Sequence, residues 1–115
     1  MKVKLVSSIV FMMVALLAGV HSFAGNAPAP KEAAACLTCH DIEAKKIGPP
    51  YKDVARKYAG QKNAQADLAK RIVRGTAPGL GWMKEGKATM PFMPPNVAVA
   101  PKDAAKLAKW VLTIK

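Results

Sequence analysis

The chain has only two cysteines, and a histidine directly follows the second: Cys36-Leu37-Thr38-Cys39-His40. On one helical turn both thiols project toward the same side, and the imidazole follows from the next position. Any fold of this chain must therefore deliver three reactive groups to one place. Four chemistries use such a set: a small disulfide, a redox dithiol, a zinc site, or thioether attachment of a c-type haem with the histidine on its iron. The rest of the sequence weighs among them.

Residues 1–24 read as a secretory signal. Lys2 and Lys4 give a positive start, Ile9 to Val20 is apolar, and Ser22-Phe23-Ala24 fits a small-x-small cleavage site. The apolar stretch from Leu5 to Val20 is 16 residues long and includes Ser7 and Ser8. That is short of the roughly 20 apolar residues that span a bilayer, so cleavage after Ala24 and a periplasmic location are expected. Cleavage leaves 16 basic against 7 acidic residues, a net charge of +9 over 91 residues. It also leaves His40 as the one histidine and Met83, Met90 and Met93 as the methionines. A chain of 115 residues, 51% of them hydrophobic, is long enough for one domain and too apolar to be wholly disordered.

Residues 25–30 (GNAPAP) are small and proline-rich, and are expected to form a mobile lead-in to a domain over 31–115. The Ala-rich run Lys31 to His40, preceded by Pro30, predicts a short helix. Ile47-Gly48-Pro49-Pro50 then breaks the chain and forces an extended turn. Tyr51 to Ala59 predicts a second helix with Tyr51, Val54, Ala55 and Tyr58 on one side, ended by Gly60. Ala64 to Arg74 predicts a third, with Asn63 as N-cap, Leu68, Ile72 and Val73 apolar, and Gly75 just past its end. Thr76 to Val99 reads as one long irregular loop, and such loops are usually functional. Pro101 to Ile114 is the clearest helix: Ala104, Leu107, Val111 and Ile114 form a stripe that Trp110 and Leu112 widen. No hydroxyl or acid precedes Pro101 to cap it, since that position is Ala100.

No period-2 strand pattern occurs, so the fold class is all-α, about four short helices. Four such helices hold few large apolar residues, and domains this small gain stability from disulfides, metals or a large bound group. A dithiol would want a βαβ context, a structural zinc a fourth ligand, and a disulfide across three residues stabilises little. An exported all-α chain short of core favours covalent haem c through Cys36 and Cys39, with His40 on the iron. A sixth ligand to that iron would come from the loop Met90-Pro91-Phe92-Met93-Pro94-Pro95-Asn96. Thioether sulfur is soft and neutral and raises the haem potential. Met93 is the first candidate, with Met90, Met83, a lysine or an open site as alternatives.

The segments CLTCHDIEAKKIGPPYKDVARKYAG, LAKRIVRG, MPPN and LAKWVL resemble, in order and spacing, the small monohaem bacterial class I c-type cytochromes, the short-chain periplasmic branch. The resemblance implies the class I cytochrome c fold wrapped around one haem. It implies thioethers at Cys36 and Cys39, His40 as proximal and Met93 as distal iron ligand. It further implies that the Pro49 carbonyl accepts a hydrogen bond from the His40 ring, and that Asn96 bonds near the methionine sulfur. Arg71 and Trp82 would reach the haem propionates. The stretch between Gly75 and Met93 is longer than usual for the family and adds the second Met-Pro at Met90.

A haem with both axial positions filled by the protein exchanges electrons rather than binding oxygen or peroxide. The expected function is a soluble periplasmic one-electron carrier between respiratory redox proteins, and not an enzyme. The alternative is a haem enzyme or gas sensor with an open or displaceable sixth ligand, or a haem module that relays electrons only within a larger complex. The +9 charge would steer docking to acidic patches on a periplasmic reductase or terminal oxidase, or to transient contact with an anionic membrane surface. Lys45, Lys46, Lys84 and Lys87 are candidates for that face. Nucleic acid is not an expected partner of an exported chain.

Overall fold

The computed structural model describes residues 26–77 and 81–115; the expected signal, 1–24, lies outside the described residues. Three α-helices form: α1 (Tyr51–Tyr58), α2 (Ala64–Arg74) and α3 (Pro101–Leu112). No strand occurs among the described residues.

Helix α3 organises the core because its stripe is continuous. Ala104, Leu107, Ala108, Trp110 and Val111 are all buried, and Ile114 continues the row beyond the last turn. Its start relies on backbone: Pro101 has no N–H to satisfy, and the Ala100 carbonyl accepts from the amides of Asp103 and Ala104, each at 2.9 Å. Both α1 and α2 pack on α3. Helix α1 contributes Tyr51, Val54, Ala55 and Tyr58, all buried, while α2 contributes Leu68 with Ile72 half-buried behind it. Asn63 stands at the N-cap of α2 without a side-chain capping bond; its backbone carbonyl accepts from Asp67 at 2.9 Å.

The segment from Lys31 to His40 differs from the single helix its composition predicts. It forms two 3₁₀ turns, Lys31–Ala33 and Cys36–Thr38. The backbone stays right-handed helical at Ala34, Ala35 and Cys39. The segment's last carbonyls are bonded from outside: the Gly48 amide donates to the Cys39 carbonyl at 2.7 Å, and the Lys46 ammonium to that of Leu37 at 3.1 Å. Ala33 is fully buried against α3, where no larger side chain would fit without displacing its neighbours.

Residues 26–30 have no regular structure, yet two of them are tied to the end of α3. The Trp110 indole Nε1–H donates to the Ala27 carbonyl at 3.0 Å, and the Lys115 amide donates to Asn26 Oδ1 at 3.1 Å. The described parts of 76–99 form turns without a helix. No helix of the described residues is long and apolar enough to cross a membrane.

Candidate functional site

The helices and the long loop enclose a cavity of about 340 Å³ with mainly apolar walls. Cys36, Cys39, His40, Pro49, Arg71, Trp82, Met93 and Asn96 all line it. So does Met90, whereas Met83 is 52% exposed and takes no part in the lining.

His40 is held on three sides. Its Nδ1 lies 2.9 Å from the Pro49 carbonyl, and because a carbonyl only accepts, Nδ1 carries the proton and Nε2 keeps its lone pair. The ring stacks on Tyr51, with centroids 4.8 Å apart and planes 17° from parallel. Gly48 lies against its other atoms: a Cβ there would overlap His40 Cε1 and sit 2.7 Å from Nδ1. Burial pushes the imidazole below its ordinary pKa, against the pull of the Pro49 bond, so the ring is neutral near pH 7. A neutral imidazole with one lone pair and a fixed tautomer is suited to bind a metal.

No disulfide joins Cys36 and Cys39. Burial holds the Cys36 thiol above its ordinary range although it hydrogen-bonds with Tyr51. Burial likewise raises the pKa of the Tyr51 hydroxyl. A raised thiol pKa is the reverse of what a reactive dithiol needs. Among the described residues no three His, Cys, Asp or Glu side chains cluster to hold a metal ion by themselves. Two thiols on one turn, an adjacent free imidazole nitrogen and an apolar cavity form a donor set that fits a covalently attached haem.

On the loop side, Met93 is fixed by Thr76. The Met93 amide donates to Thr76 Oγ1 and the Thr76 amide donates to the Met93 carbonyl, each at 2.9 Å. Gly75, at φ 72° and ψ −173°, makes the approach possible, because a Cβ there would overlap the Met93 carbonyl oxygen and sit 2.8 Å from Pro94 C. Asn96 is bonded to the last turn of α2: its amide donates to the Val73 carbonyl at 3.0 Å and its Nδ2 to that of Ile72 at 2.8 Å. Arg71 reaches the cavity from the same helix. Trp82 is half-buried with the Lys57 ammonium 4.4 Å and the Lys87 ammonium 5.9 Å from its ring centroid. Lys87 is in turn 3.9 Å from Asp53 on α1, which draws the loop onto that helix. Gly48, Gly75 and Thr76 join the site without being among the residues the sequence predicts for it.

This fold and donor set define a small class I monohaem c-type cytochrome. The chain belongs to the cytochrome c family, whose model, described as cytochrome c, matches residues 29–115. It carries haem c attached through its cysteine pair, as members of that family do. It is 42% identical over 107 residues to cytochrome c-552 of Hydrogenobacter thermophilus, covering 91% of this chain and 97% of that protein. It is 49% identical over 80 residues to cytochrome c-551 of Pseudomonas aeruginosa, covering 70% of this chain and 68% of that protein. The crystal structure of Nitrosomonas europaea cytochrome c552 superposes with a TM-score of 0.60 at 41% identity, over 70% of this chain and 90% of that one.

Proposed function

We propose that this chain is a periplasmic one-electron carrier, with haem iron held between His40 and Met93, that shuttles electrons between respiratory redox proteins. When bound, the haem supplies a single iron centre that gains or loses one electron. The observation that carries the reading is the His40–Pro49 hydrogen bond. It leaves Nε2 as the one free ring nitrogen, in a cavity that also holds Met93 and both thiols.

The protein's own contribution is to keep its ligands still. Gly48, Pro49 and Tyr51 fix the imidazole, and Gly75 and Thr76 fix the backbone of Met93. Ligands that need not rearrange suit repeated electron transfer. The neutral thioether of Met93 favours the ferrous state and a positive potential. Apolar walls would exclude water, and Arg71 and Trp82, which line the same cavity, are the residues that would meet the propionates. Asn96 donates one amide hydrogen to the Ile72 carbonyl and retains a second, which in this reading serves the methionine sulfur. The export signal read in residues 1–24 supports the periplasmic assignment, and the +9 charge supports steering toward acidic redox partners such as a reductase or terminal oxidase.

Voltammetry of the exported protein tests this reading. A reversible one-electron wave at positive potential, with no rapid carbon monoxide binding to the reduced form, is the expected result. Rapid carbon monoxide binding would indicate an open iron and overturn the carrier assignment.

A further inference from the structure

We propose that Thr76 is the positioning residue that selects Met93 over Met90 as the sulfur ligand, an inference that rests on the His40/Met93 reading above. The loop offers two Met-Pro pairs, both methionines line the same cavity, and their thioethers are chemically identical. The choice between them is therefore made by the backbone that carries each.

The two backbones are anchored to different walls. Met90 donates its amide to the Ile47 carbonyl at 3.2 Å, and Thr89 donates to the same oxygen at 3.0 Å. Ile47 directly precedes Gly48, which lies against the His40 ring. Met90 is thus held to the loop that backs the histidine. Met93 is held to the end of α2, where Thr76 bonds both its amide and its carbonyl. Three residues on, Asn96 bonds the carbonyls of Ile72 and Val73 and fixes the segment a second time. A second axial ligand must approach the iron from the face that His40 does not occupy, so the methionine anchored away from the His40 loop is the one suited to it. Thr76 supplies both the acceptor and the donor of that anchor, and Gly75 gives it room.

The test uses the ferric holoprotein titrated with imidazole, following loss of the sulfur-to-iron charge-transfer band. Thr76→Val keeps the shape and removes the acceptor, so imidazole displaces the sulfur with an affinity about fivefold higher than in wild type, the worth of one neutral hydrogen bond. Thr76→Ser keeps the hydroxyl and matches wild type. Equal affinities for wild type and Thr76→Val overturn the proposal, as does a Thr76→Ser protein as weak as Thr76→Val. Should Thr76→Val not fold, hydrogen exchange of the Met93 amide in the wild type decides: strong protection supports the anchor, and exchange at the rate of an exposed amide refutes it. The underlying reading fails separately, if Met93→Leu retains the band and Met90→Leu loses it.

Discussion

Thr76 and Met93 are hydrogen-bonded in both directions, amide to hydroxyl and amide to carbonyl, each at 2.9 Å. The pairing spans the long loop and closes it onto the end of α2. Since Thr76 follows the last residue of that helix by two positions, the geometry of Met93 depends on how α2 ends.

That dependence makes Gly75 a sensitive position. Alanine there would adopt a backbone conformation essentially reserved for glycine and drive its Cβ into the Met93 carbonyl. Gly75→Ala is expected to lower stability by about 1–3 kcal/mol and to shift the sulfur-to-iron band. Thermal unfolding with an absorption spectrum checks both; an unchanged midpoint and band would contradict the close packing of Gly75 on residues 93–95.

On the histidine side the corresponding position is Gly48. Its backbone takes an ordinary conformation, so the cost of Gly48→Ala comes from the ring it would strike. Overpacking of this kind costs about 1–3 kcal/mol, and the His40–Pro49 bond is expected to lengthen or break. The ring-proton chemical shifts of His40 and the unfolding midpoint read the two effects, and wild-type values for both would refute the contact.

A third expectation concerns the lead-in. Trp110→Phe keeps the edge-on packing with Tyr51 and loses the indole bond to Ala27. The loss should cost about 1 kcal/mol and hasten proteolytic removal of residues 26–30 while leaving α3 folded. Identical cleavage rates for the two proteins would mean that this bond does not hold the segment.

Glu32 gives a pH prediction. A backbone hydrogen bond, and then the Lys106 ammonium 3.2 Å away, hold its carboxyl below the ordinary range. A lowered folded-state pKa means the stabilisation is present above the unfolded value and disappears as pH falls through the folded one. Glu32→Gln should therefore lower the unfolding midpoint at neutral pH, and the difference from wild type should shrink on acidification. A difference that stays constant or grows toward acid would contradict this sign.

Spacing made the helical faces legible. The row Ala104, Leu107, Val111 and Ile114, and the set Tyr51, Val54, Ala55 and Tyr58, are buried where periodicity placed them. Composition misjudged Lys31 to His40, because alanine propensity is a weak local preference, and the segment forms two 3₁₀ turns with its last carbonyls bonded to Gly48 and Lys46. The same limit hid the bonds of Asn26 and Ala27, whose partners lie at the far end of the chain. The residues that line the site could be named from the motif and the family pattern. Gly48, Gly75 and Thr76 could not, because their task is to let one backbone approach another, and nothing in linear spacing records that distance.

His40 and Met93 are proposed to hold the iron of the covalently attached haem. The most direct measurement is the absorption spectrum of the oxidised exported protein beside its Met93→Leu and Met90→Leu variants. A low-spin ferric spectrum with a sulfur-to-iron charge-transfer band in wild type and Met90→Leu, absent in Met93→Leu, is the predicted result. A high-spin ferric spectrum in the wild type, or a band that survives Met93→Leu, would contradict it.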